Sequence, residues 1–147
     1  MKGKPLNELI VVIKGAGEMA TGIAHRLYMS HIRQIVMTEI PEPISVRRTV
    51  AFSEVVYDGE MTVGGVHAEL IQSVDKVQDI WQKKKIAVIV DPKWTIVSIL
   101  KPDIVIDAIM AKKNLGTKKT EASFVLGVGP GFAAPADVHA VVESNRG

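Results

Sequence analysis

Gly15-Ala16-Gly17-Glu18-Met19-Ala20 fits the pattern G-x-G-x-x-[G/A] and directly follows an apolar run at 9–13. In such a turn the first glycine permits the tight reversal and the second lets backbone approach a pyrophosphate. The small Ala20 lets the next helix pack closely on the strand. The N-terminus of that helix favours phosphate charge. Nineteen residues after Ala20, Glu39 closes a second strand-like run, where a carboxylate can hold ribose hydroxyls. Nucleotide or dinucleotide binding is the chemistry this constellation would support; a turn that serves packing alone is the competing reading. Glu18 weighs against binding, because its charge suits the helix dipole but repels a nearby diphosphate.

Further candidates lie towards the C-terminus. Gly127, Gly129 and Gly131 surround Pro130. Their successive N–H groups could form an anion-binding nest, or the segment could be a strand-ending turn. Asp91 and Asp107 each end an apolar run and could accept a proton or orient a ligand amide. Equally, Asp91 before Pro92 can make a turn, and Asp107 can cap the next segment. Lys112, Lys113, Lys118 and Lys119 could grip an anion, although a solvated loop is the commoner role for such residues. Arg47 and Arg48 are suited to phosphate, or to the surface. His25, His31, His67 and His139 show no metal-ligand spacing, and no serine stands in a nucleophile elbow.

The elements that must position these residues can be read from periodicity. Met19, Ile23 and Leu27 recur at i, i+4 and i+8, a helical stripe to about residue 31. A strand comes next at 34–39, and Pro41 and Pro43 then stop regular structure. Residues 55–71, strand-like around Gly64-Gly65, predict an inserted β-hairpin. A helix at 74–85, a strand at 86–91, a helix at 94–100 and a strand at 103–108 come after it. A polar loop leads to a strand at 123–132 with a glycine break, and 137–144 alternates as a strand, a helix with Asp137 near its N-terminus and no open edge being the alternative. This order predicts an α/β fold, a Rossmann-like open, mostly parallel sheet flanked by helices. In a parallel sheet Gly15, Glu39, Asp91, Asp107 and Gly129 would share the carboxyl edge, where such sheets bind ligands. Val138, Ala140 and Val142 form an apolar stripe on a last strand, whose open edge a second copy could pair in a homodimer.

The 147 residues, 47% hydrophobic and 23% charged, fit a single domain over 1–147. A net charge of +2, with scattered basic residues, argues against nucleic acid as a partner. The lack of cysteine excludes disulfides, thiolate metal sites and iron–sulfur ligation. The apolar run near the start is too short for a signal sequence or membrane span, so no membrane partner and a cytoplasmic location are expected.

The blocks "VVIKGAGEMATGIAHRLY", "VMTEIPEP", "RRTVAFSEVVYDGEMTV", "LKPDIVIDAIMAKKNLGT", "LGVGPGF" and "DVHAVVESNRG" occur in this order. Together they resemble the YqeB-type accessory proteins of selenium-dependent molybdenum hydroxylase systems, over roughly residues 10–147. The resemblance implies a cytoplasmic bacterial protein that helps mature the selenium–molybdenum centre, with the hydroxylase as partner. It also implies kinship of the Rossmann-like part with xanthine dehydrogenase maturation factors, and a further segment beyond Gly147 in family members. The ligand would be NAD or the dinucleotide form of molybdenum cofactor, with Gly15, Gly17 and Ala20 at the phosphates and Glu39 on the ribose. An NAD-dependent oxidoreductase acting on a small substrate and a non-catalytic scaffold for the hydroxylase are the alternative functions.

Overall fold

The computed structural model describes residues 3–143. Its centre is β1 (Ile10–Lys14), which pairs in parallel with β2 (Gln34–Glu39) on one side and β6 (Ile104–Asp107) on the other, with Ile13 opposite both Met37 and Ile106. Among the described residues the sheet has eight strands in the order β3-β4-β5-β2-β1-β6-β7-β8. Here β3 is Glu60–Val63, β4 Val66–Ile71, β5 Ile86–Val90, β7 Phe124–Val128 and β8 Ala140–Val142. Without the hairpin β3–β4 this is the 3-2-1-4-5-6 order of a doubly wound Rossmann sheet. Of these strands only β3 runs antiparallel to its neighbour.

The central strands are continuously apolar because both faces are covered. Val11, Ile13, Ile35 and Met37 face α1 (Glu18–Met29), which buries Ala20, Ala24 and Tyr28 against them. Val12 and Val36 face the opposite layer. That layer contains α3 (Val77–Gln82), through Val77 and Ile80, and α4 (Thr95–Leu100), through Ile96 and Val97. The chain leaves β1 towards the first layer, and the segment after β6 packs Ala108 and Met110 on that same layer before Thr117 and Glu121 reach Lys14. A crevice opens at the carboxyl ends of β1, β2, β5 and β6.

The expected hairpin at 55–71 is shorter than its sequence implies. Residues 55–58 are a helical turn, α2 (Val55–Asp58), although Val55, Val56 and Tyr57 favour strands. Burial overrides that preference, since Val55 and Phe52 fill the core beside α1. Gly64 and Gly65, at φ 54° and 81°, make the two-residue turn between β3 and β4. β4 does not loop away from the sheet but pairs in parallel with β5, so the insertion widens the sheet. At the far side β8 pairs with β7, and its outer edge carries no strand among the described residues. Val138 is buried and Val142 is half exposed there; residues beyond 143 lie outside the described ones.

Candidate functional site

The carboxyl edge opens into a cleft of about 1210 Å³. Its walls are the glycine turn and the outer side of α1, the strap at 43–47, the turn after β5 including Asp91, Pro92 and Trp94, and the segment after β6 from Ala108 to Met110 with Leu115. Gly15, Gly17, Glu39 and Asp91 thus share one cavity. Ala20 lies beneath it, buried in the contact between α1 and the sheet, as its small size requires.

The two glycines of the turn differ in kind. Gly15 sits at φ 97°, and a Cβ there would come within 3.1 Å of the Ala108 carbonyl oxygen, so the fold itself demands glycine. Gly17 has φ −71° and ψ −167°, extended backbone that any residue adopts, and a Cβ on it would meet nothing within 4 Å. Neither packing nor backbone strain requires a glycine at this position. Its missing side chain keeps free the space in front of the N-terminus of α1. Gly22, one turn along the same wall, is likewise open. A glycine inside a helical stripe, where it weakens the helix, was the signal for this residue.

The glycine turn is clamped from three directions. Its Ala16 N–H donates to Glu39 Oε1 at 3.0 Å, while the Ala16 carbonyl accepts from Ser53 N at 2.7 Å and from Thr21 Oγ1 at 3.2 Å. Glu39 Oε2 accepts from the Ile40 amide at 2.8 Å. Asp91 is used in the same way, since its two oxygens accept from the amides of Thr95 (3.0 Å) and Ile96 (2.8 Å) at the start of α4. Glu18 takes the Arg47 amide and Nε, each at 2.8 Å. Those two bonds, the backbone one first, hold its carboxyl below the usual glutamate range. The charge that would repel a diphosphate is thereby neutralised by the strap. Each acidic side chain lining the cleft therefore anchors a segment of its wall.

Asp107 does not face the cleft. It is buried, accepting from Thr117 Oγ1 at 2.6 Å and from the Ile109 amide at 3.2 Å. Gly129 and Gly131 also lie outside the lining. Both have φ 94°, and a Cβ would press on the Met110 sulfur at 3.2 Å or on Lys113 Cα at 2.6 Å. Gly127 is covered by the Phe132 ring. Close packing accounts for each of these glycines, in keeping with a strand-ending turn.

Lys14, which carries no sequence signal of its own, is among the largest fully buried side chains. Its Nζ donates to Thr117 Oγ1 at 2.8 Å and to both oxygens of Glu121 at 2.9 Å. It also lies 3.7 Å from the ring centroid of Trp94. Burial lowers its pKa, against the opposing pull of Glu121 and Asp107. Among the described residues no His, Asp and Glu cluster could hold a metal ion.

Comparison with known proteins yields a relative for this chain. It is similar to the "Uncharacterized protein YqeB" of Escherichia coli (strain K12). The two are 46% identical over 143 residues, which cover 97% of this chain and 26% of that protein. The chain spans about a quarter of that relative's length. No family model matches, and no solved structure matches. No helix among the described residues is long and apolar enough to cross a membrane.

Proposed function

We propose that this chain is a Rossmann-like binding module that holds a nucleotide-containing ligand at the glycine turn, as an accessory factor in maturation of selenium-dependent molybdenum hydroxylases. The observation that carries the ligand half is Gly17. It is the N-cap of α1, where neither space nor backbone forbids a side chain, on a turn already clamped by Glu39, Ser53 and Thr21. A diphosphate fits that space, and the remaining lone pairs of Glu39 can accept from a ribose. NAD and the dinucleotide form of molybdenum cofactor both carry this diphosphate and ribose. The maturation half rests on the family resemblance, which the 46% identity to YqeB supports. An oxidoreductase reading is weaker, because the carboxylates that could move a proton already accept backbone hydrogen bonds.

A scaffold role has one observation in its favour. Ile44 and Val46 on the strap are 95% and 92% exposed at the mouth of the cleft, a pair of apolar side chains suited to a protein partner. Native mass spectrometry of freshly purified protein separates the two readings. A bound mass that is lost in Gly17→Val supports the nucleotide module, whereas unliganded protein captured by the hydroxylase through Ile44 supports the scaffold.

A further inference from the structure

Trp94 stands out on the cleft wall for its backbone. It adopts the left-handed region at φ 57° and ψ 35°, which a bulky side chain rarely enters. Strain of this kind persists only where the surroundings over-determine it. Here the Trp94 amide donates to the Asp91 carbonyl at 3.1 Å, and the Asp91 carboxylate fixes the two residues after Trp94. The turn holds the indole at the end of β1, where a Cβ on Gly116 would lie 3.6 Å from its edge and Lys14 Nζ covers one face.

Trp94 is also part of the cleft lining. Trp81 donates its Nε1 to the Ile35 carbonyl at 3.0 Å, but Trp94 Nε1 has no acceptor among the described residues. No buried side-chain polar atom there lacks a partner, so this N–H is open to solvent. The wall therefore presents an aromatic side chain. Behind the ring stands the Lys14 ammonium, paired with both oxygens of Glu121.

The geometry points to Trp94 as the platform for a planar heteroaromatic ring of the ligand, stacked against the indole inside the cleft. This rests on the nucleotide reading of the cleft. Glu39 places the adenosine half over β2, so the ring on Trp94, over β1 and β6, is the one at the other end of a dinucleotide. Trp94 then acts as a stacking and specificity residue, and Asp91 as the residue that positions it.

The test is calorimetry with NADH and ADP on the wild type and Trp94→Leu. Trp94→Leu should weaken NADH about tenfold and leave ADP unchanged. Unaltered NADH affinity in Trp94→Leu, or equal losses for NADH and ADP, would overturn the platform while leaving the nucleotide module standing. No binding of either to the wild type would overturn both.

Discussion

Glu39 Oε1 accepts a hydrogen bond from the Ala16 amide at 3.0 Å, joining the end of β2 to the middle of the glycine turn 23 residues earlier. Ala16 is fully buried, so this carboxylate satisfies a backbone donor that water cannot reach. The same side chain that a ribose would meet is also what holds the phosphate turn in shape.

Substitutions at Glu39 should therefore have two effects. Glu39→Ala leaves the buried Ala16 N–H without its acceptor and should cost about 1–3 kcal/mol. Glu39→Gln keeps one carbonyl oxygen and should cost less, yet lose the preference for NADH over NADPH that a carboxylate imposes by repelling a 2′-phosphate. Urea denaturation checks the first, and titration with both nucleotides the second. Tighter binding of NADPH by the wild type would remove Glu39 from the ribose.

The clasp between Glu18 and Arg47 should open in acid. Arg47 lowers the folded-state pKa of Glu18, so the clasp contributes fully above the ordinary value of 4.5 and is lost as pH falls through the lowered folded value. Amide exchange in the strap at 43–47 should rise as the pH falls below that point, after correction for intrinsic exchange. In Arg47→Ala it should be fast already at neutral pH. Exchange that is the same in variant and wild type would show that Ser45 and Pro43 hold the strap without help from Arg47.

Lys14→Met should destabilise the protein by about 3 kcal/mol, because Glu121 and Thr117 lose the cation that joins the 108–121 loop to β1. The double variant Lys14→Met/Glu121→Leu should recover part of this loss. Chemical denaturation of both gives the comparison. An additive result would mean that the pair is not coupled.

Asp91→Ala removes both side-chain acceptors at the start of α4 and should cost about 1–2 kcal/mol. It should also release Trp94 from its left-handed conformation, which a change in indole emission in a Trp81→Phe background would register. Unchanged emission would place the restraint on Trp94 elsewhere.

Much of the fold was legible because its signals are local. The run at 9–13, the stripe of Met19, Ile23 and Leu27 and the run at 34–39 define β1, α1 and β2 within a residue or two. Parallel strands then bring Gly15, Glu39 and Asp91 to a shared edge. Tertiary contacts decided the rest. Val55 favours a strand and turns helical because its site lies in the core beside Phe52. Lys14 resembles a solvated strand end, and only Thr117 and Glu121, more than a hundred residues away, make its burial possible. Gly129 and Gly131 have the spacing of an anion nest, but their neighbours are Met110 and Lys113. The backbone roles of Glu39 and Asp91 were equally hidden, since spacing identifies a carboxylate at a strand end but not the amides it binds.

The nucleotide module is tested most directly by titrating NADH into the wild type and Gly17→Val, with thermal melts of both proteins. A Cβ at Gly17 meets nothing within 4 Å and its backbone is extended. The melting temperature should therefore fall by only a few degrees, the cost of valine at an N-cap, while valine fills the space before α1 and weakens NADH by tenfold or more, about 1.4 kcal/mol. Equal affinity in the two proteins, or no binding to the wild type, would contradict a phosphate site at this turn.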